Sequence, residues 1–213
     1  MKLTYRFAAV IFDLGGVVLG SPLHAIAAFE REQGIPAGFV NRVVMETAPE
    51  GAWSRLERGE LTLEEFFVAF ESDCAAGGQQ LSARAMMERM ARSALPRPAM
   101  LEAVRRIRAR GLKTAVLTNN WQDEGSEEGA RELRPHFDAF VESSVVGLRK
   151  PDPRIYQHAC DQLGVQPAEA VFLDDIGHNL KAARQLGMAT IKVDDPDQAL
   201  AELEELLGFS LRG

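Results

Sequence analysis

The sequence of 213 residues predicts an α/β fold in which one parallel β-sheet is covered by helices on both faces. The first observation behind this prediction is that short apolar runs, rich in β-branched residues, alternate with longer stretches of helical periodicity. Strands separated by helices of this length imply right-handed crossovers between parallel strands. The second observation is a long stretch after the first strand in which helical patterns follow one another without a strand. We therefore expect a Rossmann-like sheet core with an inserted helical cap subdomain after the first strand.

The first predicted strand covers residues 8–12 and leads into Asp13, which is followed closely by Gly15 and Gly16. A continuous apolar run bounded by glycine is typical of a strand that is buried on both faces of a parallel sheet. Ligands of open α/β sheets bind at the carboxyl ends of the strands, so Asp13 stands where a site would form. An aspartate before two glycines is, by itself, equally typical of a turn.

The predicted insert consists of four helices, over residues 22–33, 37–45, 62–73 and 82–92. Ser21, which precedes a proline, predicts the start of the first helix. Thr62 and Glu65 form a capping-box pattern at the start of the third. The insert is expected to end at the proline-containing segment 96–98, because a residue before proline is pushed out of the helical region.

The rest of the chain alternates helices and strands. Further strands are predicted at 113–118, 139–142, 170–174 and 189–193, with helices at 100–110, 153–163, 179–186 and 195–207. We therefore expect the sheet core to comprise residues 1–16 and 96–213 and the cap to comprise residues 17–95. Since the insert follows the first strand, it lies beside the ligand-binding edge of the sheet, where it can act as a lid.

Composition and charge argue against several classes of function. The chain has 24 Lys and Arg against 31 Asp and Glu, a net charge of −7, whereas a nucleic-acid partner requires a basic surface. No apolar run approaches the roughly 18 residues of a membrane-spanning helix. Cys74 and Cys160 are too few for a disulfide framework or a cysteine-based metal site, and they fit a reducing cytosol. We therefore expect a cytoplasmic protein without nucleic-acid or membrane partners; the sequence implies no particular oligomeric state.

Polar residues stand at the carboxyl ends of three predicted strands: Asp13 on the first, Thr118 and Asn119 on the second, and Asp174 and Asp175 on the fourth. Carboxylates brought to one edge repel each other unless a hard cation or a proton lies between them. A ligand set of oxygen atoms, without His or Cys, selects magnesium over zinc. The strand ends therefore predict a site for Mg²⁺.

A positive charge is available from Lys150, in a loop that Pro151 and Pro153 stiffen. Its ammonium group can neutralise an oxygen of a bound phosphoryl group. A single lysine is more often a surface residue, but the stiff loop favours a fixed position for this one.

These residues, in this order, resemble the haloacid dehalogenase superfamily, whose phosphatases carry an Asp after strand one, a Ser or Thr after strand two, a Lys, and an acidic pair after strand four. The similarity is closer still to the N-terminal phosphatase domains of soluble epoxide hydrolases. It includes residues 51–66, 118–121, 146–151 and 171–180. The resemblance covers nearly the whole chain, the insert included.

The resemblance implies a phosphatase in which Asp13 attacks phosphorus to form an aspartyl-phosphate, which water then hydrolyses. It implies that Thr118 and the backbone of Asn119 hold the transferring phosphoryl group, while Lys150 balances its charge. The substrate would be a small phosphorylated metabolite. Trp121, which follows the phosphate-holding turn, is a further candidate for the substrate pocket.

The resemblance also implies the metal site. Mg²⁺ would be bound by Asp13, Asp175 and the backbone carbonyl of Gly15. Asp174 would orient Lys150 or a metal-bound water, and Asn179 would be a supporting residue outside the direct metal ligands.

One position departs from the family pattern. Phosphatases of the superfamily usually carry a second Asp two residues after the nucleophile, as general acid and base, and this chain has Gly15 there. Three hypotheses follow: a phosphatase slowed or restricted to activated leaving groups, a catalytically weak module that binds phosphate and metal, and a carbon–halogen hydrolase. The pair Asp174 and Asp175 argues against the last, because dehalogenases of the superfamily work without a metal.

Overall fold

The computed structural model describes residues 6–122 and 132–212. Its sheet contains five strands, β1 (Ala9–Phe12), β2 (Lys113–Thr118), β3 (Ala139–Glu142), β4 (Ala170–Asp174) and β5 (Ala189–Lys192). The strand order is β3-β2-β1-β4-β5, and each neighbouring pair is parallel. The predicted α/β fold is confirmed, and the predicted strands agree with the observed ones to within one residue at each end.

The α-helices of the described residues are α1 (Pro22–Gln33), α2 (Phe39–Thr47), α3 (Ala52–Glu57), α4 (Leu63–Ala76), α5 (Ala83–Ser93), α6 (Pro98–Ala109), α7 (Ser143–Val146), α8 (Pro153–Leu163), α9 (Gly177–Gln185) and α10 (Pro196–Leu207). Eight of them match predicted helices. The other two, α3 and α7, were not predicted, because they are too short to show a helical hydrophobic period. None of the helices in the described residues is long and apolar enough to cross a membrane.

The sheet is covered on both faces because its strands are apolar on both faces. Val10 and Phe12 of β1 pack with the buried residues of α6 and α10 on one side. Ala9 and Ile11 point to the opposite side and pack with α8 and α9. This alternation is the period-two pattern of a strand, and it yields a three-layer core.

Helices α1–α5 lie between β1 and β2 and form their own hydrophobic cluster, centred on Trp53, Phe66 and Phe70. Residues 13–112, all of them described, contain no strand apart from an isolated bridge between Leu19 and Pro96. The predicted capping box of Thr62 is present at the start of α4. The helical insert thus follows the first strand, as expected.

The chain leaves and re-enters the sheet core through two adjacent segments. The backbone N–H of Gly20 donates to the carbonyl of Leu95 at 3.0 Å, and the N–H of Arg97 donates to the carbonyl of Val18 at 2.8 Å. Both segments are close to the predicted boundaries of the cap, residues 17 and 95. The division into core and cap as separate domains stays a prediction.

Candidate active site

The candidate site lies at the carboxyl ends of β1 and β4, which are neighbours in the sheet. Their register pairs Phe12 with Leu173, so the next residues, Asp13 and Asp174, lie side by side. The N–H of Asp13 donates to the carbonyl of Leu173 at 2.8 Å. The chain order reverses between these two strands, and ligands of open α/β sheets bind at such a point.

Lys150 lies between the two carboxylates. Its Nζ atom is 2.8 Å from Oδ1 of Asp13 and 2.7 Å from Oδ2 of Asp174, and its side chain is 1% exposed. The lysine is therefore a buried, fixed residue, in agreement with the stiff loop inferred from its neighbouring prolines. An ammonium group held this way places a full positive charge directly beside the Asp13 carboxylate.

Asp174 is also held from its other side. Its Oδ1 accepts from the backbone N–H of Ile176 at 2.7 Å, and the Nδ2 of Asn179 lies 3.1 and 3.2 Å from its two oxygens. Asp174 and Asn179 are both buried. These contacts fix the carboxylate that holds Lys150, which fits the supporting roles predicted for Asp174 and Asn179; those roles stay predictions.

Asp175 depends on a glycine for its space. A Cβ atom on Gly16 would lie 2.1 Å from Oδ2 of Asp175, and Gly16 has a φ of +81°, a left-handed conformation that favours glycine. The hydroxyl of Ser21 donates to the same Oδ2 atom at 3.2 Å. The turn after β1 therefore lies directly against the Asp175 carboxylate.

These carboxylates can hold a metal ion. One oxygen from each of Asp13, Asp174 and Asp175 lies within 4.8 Å of the others. A set of oxygen donors without His or Cys suits Mg²⁺. Because Gly16 has no side chain, the Asp175 carboxylate can lie against the turn, within reach of an ion held there. The residues therefore fit Mg²⁺. Gly15 is in the turn Leu14–Val18, next to Asp13; its carbonyl as a ligand stays a prediction.

Burial and mutual repulsion dominate the electrostatics of the site. Burial raises the pKa of Asp13 well above its usual value, against the effect of Lys150, and the charge of Asp174 raises it further. Burial and the neighbouring Asp174 also raise the pKa of Asp175. Burial alone would lower the pKa of Lys150, but Asp13 and Asp174 outweigh it and raise this pKa. One ammonium group thus faces three carboxylates, and the site has a deficit of positive charge that a divalent cation can fill.

The segment after β2 reaches the site through Asn119. Thr118, the last residue of β2, is buried. The Asn119 side chain accepts from the backbone N–H of Lys150 at 2.8 Å and donates to its carbonyl at 3.0 Å. The family resemblance implies a phosphate-holding role for the Asn119 backbone, and nothing in the sequence indicates this side-chain contact. Thr118 and Asn119 as phosphate-binding residues stay predictions.

Trp121 lies against the insert. It is half-buried, and its ring contacts that of Trp53 edge-on, with centroids 6.3 Å apart and planes at 76°. Its predicted place in the substrate pocket stays a prediction.

Three residues near the site were not found from the sequence. Ser21 begins α1 as predicted, but its side chain makes no capping hydrogen bond and binds Asp175 instead. Arg97 donates to the carbonyl of Gly16 at 2.7 Å and so braces the turn after β1. Glu57, on α3, contacts the loop that carries Lys150. No pattern marks such residues, because each contact depends on how the insert and the core come together.

Comparison with known proteins identifies relatives over most of the chain. Residues 7–187 match the family model of the haloacid dehalogenase-like hydrolases. The chain is 41% identical over 208 residues to acyl-CoA dehydrogenase family member 10 of Mus musculus, covering 96% of this chain and 20% of that protein. It is 39% identical over 217 residues to bifunctional epoxide hydrolase 2 of Sus scrofa, covering 95% and 39%. The chain thus spans less than half the length of both curated relatives.

A solved structure shares the fold. The haloacid dehalogenase family enzyme bt-2542 from Bacteroides thetaiotaomicron, in complex with magnesium and inorganic phosphate, superposes with a TM-score of 0.60. The two proteins are 18% identical, and the match covers 87% of this chain and 93% of the other. At this identity the likeness shows the fold alone.

Proposed function

The chain belongs to the haloacid dehalogenase-like hydrolases, and on this premise we propose that it is a magnesium-dependent phosphatase acting on a small phosphorylated molecule. The family membership confirms the resemblance noted from Asp13, Thr118, Lys150 and the acidic pair. The observation that carries the phosphatase proposal is the position of Lys150, which places a buried ammonium group 2.8 Å from a buried aspartate beside two further carboxylates.

In the proposed reaction, a carboxylate oxygen of Asp13 forms a bond to phosphorus, and the ester oxygen of the substrate leaves with the bonding electron pair. Water then attacks phosphorus, which releases inorganic phosphate and restores the carboxylate. Lys150 offsets the charge on the phosphoryl oxygens during both steps. Thr118 and the Asn119 backbone hold the group in line with Asp13.

Magnesium, held by Asp13, Asp175 and the Gly15 carbonyl, would supply positive charge that reduces repulsion between the Asp13 carboxylate and the phosphate dianion. Asp174 keeps its own role in this proposal, since its oxygens already accept from Lys150, Ile176 and Asn179. A solved relative with the same fold binds magnesium and inorganic phosphate, which supports the choice of ion and ligand.

Gly15 restricts the substrate. Without a general acid at this position, the leaving oxygen departs unprotonated, and the loss of such a group typically lowers a rate by about 10² to 10⁴. This loss is largest for alkyl phosphates and smallest for acyl and aryl phosphates, whose leaving groups need little protonation. We therefore propose that the enzyme acts best on activated phosphates.

The helical insert supplies the cover of the site in this proposal, with residues 17–95 as the cap and residues 1–16 and 96–213 as the core. Trp121 packs against Trp53 of the insert, so it lies where the two parts meet. A substrate held at Asp13 would be shielded from water there.

The test is phosphate release from acetyl phosphate and p-nitrophenyl phosphate, with Mg²⁺ and with chelator. Release that requires Mg²⁺ supports the proposal. Mg²⁺-dependent binding of a phosphoryl mimic without turnover of any phosphate would identify a binding module instead. Halide release from 2-haloacids in the presence of chelator would identify a carbon–halogen hydrolase. The absence of an acidic side chain at Gly15 is also compatible with that reaction.

A further inference from the structure

Glu57 is a buried carboxylate at the junction between the helical insert and the sheet core. It is the last residue of α3 and is 7% exposed. Its Oε2 atom accepts from Nε of Arg149 at 2.6 Å and, more weakly, from Nδ2 of Asn119 at 3.4 Å. Its Oε1 atom accepts from Nε1 of Trp53 at 3.0 Å. One side chain of the insert thus contacts two separate loops of the core.

Both core partners of Glu57 are directly tied to Lys150. Arg149 is its neighbour in the chain. Asn119 binds the backbone N–H and the carbonyl of Lys150, so its amide fixes the peptide units on either side of that residue. The carboxylate of Glu57 therefore binds the residues that hold the segment carrying Lys150.

A second set of contacts holds α3 in this place. Trp53 packs edge-on against Trp121, two residues after Asn119. A Cβ atom on Gly59, just after α3, would lie 2.4 Å from the carbonyl oxygen of Ser144 in α7, so the backbones approach closely there. The end of α3 is thus seated against the core on both sides of the Glu57 contacts.

We infer that Glu57 is a positioning residue, through which the seated insert fixes the loop of Lys150 for the reaction. The inference rests on the proposed function, because it assigns Lys150 its part in phosphoryl transfer. Charge supports it: Glu57 and Arg149 form a largely buried pair, with side chains 9% and 19% exposed, and such a pair holds its geometry better than an exposed one.

The experiment compares Glu57→Gln with the wild type and with Glu60→Gln. Glutamine keeps the shape and removes the charge. Glu60 lies on the same segment but is exposed and pairs with Arg58, away from the site. We expect kcat on acetyl phosphate to fall about 10- to 100-fold in Glu57→Gln, with KM changed less than kcat, because a misplaced Lys150 matters most while charge shifts during transfer. Glu60→Gln should match the wild type.

Tryptophan fluorescence reports on the junction itself, because Glu57 accepts a hydrogen bond from Nε1 of Trp53. The chain has 2 tryptophans, and both lie at this junction, so their emission reports on it without background. Glu57→Gln should change the emission, and Glu60→Gln should leave it unchanged. Equal kcat in Glu57→Gln and Glu60→Gln would overturn the inference, whatever the emission shows, as would a KM effect without a kcat effect.

Failure of the proposed phosphatase function can be distinguished from failure of the inference about Glu57. If the wild type releases no phosphate, the inference rests on the emission change upon adding Mg²⁺ and orthovanadate, a phosphoryl mimic. A response in the wild type and Glu60→Gln that is lost in Glu57→Gln supports a Glu57 link to the site. The same response in all three proteins, or none in any, overturns it.

Discussion

The Nζ atom of Lys150 lies 2.8 Å from Oδ1 of Asp13, and both side chains are almost completely buried. A second carboxylate, that of Asp174, shares the same ammonium group. This arrangement is costly without a ligand, because buried charges lose their hydration and the two carboxylates that share one lysine lie beside a third, that of Asp175. Such a site is typical of function rather than of stability.

Removing the lysine should destabilise the protein. In Lys150→Met, Asp13 and Asp174 lose their buried counter-charge, and we expect a loss of about 3 kcal/mol in the free energy of unfolding, measured by urea titration with chelator present. The control is Lys192→Met, which removes a half-exposed lysine paired with Asp194 and should cost less than about 1 kcal/mol. Equal stability of the two variants would contradict the buried-charge account.

Magnesium should stabilise the fold, and the effect should depend on pH. The pKa values of Asp13 and Asp175 are raised in the folded state, so the metal-free protein loses stability as pH rises through those values. Bound Mg²⁺ requires ionised carboxylates, so its stabilising effect should be large at neutral pH and shrink as pH falls through the raised pKa values.

The measurement is the Tm with Mg²⁺ and with chelator across this pH range. A hundredfold excess of Mg²⁺ over its Kd corresponds to about 2.7 kcal/mol, or a Tm shift of several degrees. A shift that stays constant into acidic pH, or that survives in Asp175→Asn, would contradict the proposed ligands.

Gly16 should be required for metal binding. In Gly16→Ala the added methyl group meets the Asp175 carboxylate, and we expect the Kd for Mg²⁺ to rise at least about tenfold. Gly111 has nearly the same φ, +82°, but open space at its Cβ position. Gly111→Ala therefore carries the same backbone strain, about 1–2 kcal/mol, without the clash. Calorimetric titration of both variants checks this, and equal affinities would count against the assigned role of Asp175.

The sequence predicted the sheet well, and the charged residues that it placed at one edge of this sheet lie together in the structure. The strands are continuous apolar runs, and the residues Asp13, Asp174 and Asp175 follow directly from where two of those runs end. Lys150 was identified from its stiff loop and from the family resemblance. These features are local in sequence, so they can be read before the fold is known.

The parts that could not be predicted depend on contacts between distant segments. Glu57 looks like any charged residue of a short helix, and only the seating of α3 brings it to Arg149. Ser21 shows the pattern of a helix cap, and its use by Asp175 follows from the turn after β1. Asn119 was expected to hold the phosphoryl group through its backbone, whereas its side chain binds Lys150. The hydrophobic periodicity of the sequence does not reveal contacts between distant segments.

Restoring an acid at Gly15 should widen the substrate range. Gly15 has φ −69° and ψ 130°, an ordinary conformation for any residue, and a Cβ atom there would lie 3.2 Å from the ring of Pro22, a contact that a small shift relieves. In Gly15→Asp we expect hydrolysis of an alkyl phosphate to rise at least about tenfold relative to hydrolysis of acetyl phosphate. The ratio of the two rates is the readout. An unchanged ratio would show that the missing acid does not restrict the substrate.

Asp13 is the proposed nucleophile, and the rate of Mg²⁺-dependent acetyl phosphate hydrolysis by Asp13→Asn beside the wild type tests this role. Asparagine keeps the shape of the side chain and cannot form the aspartyl-phosphate. A urea transition that remains cooperative shows that the variant folds. We predict a fall in kcat of at least about a thousandfold. Equal rates for the two proteins would contradict the account.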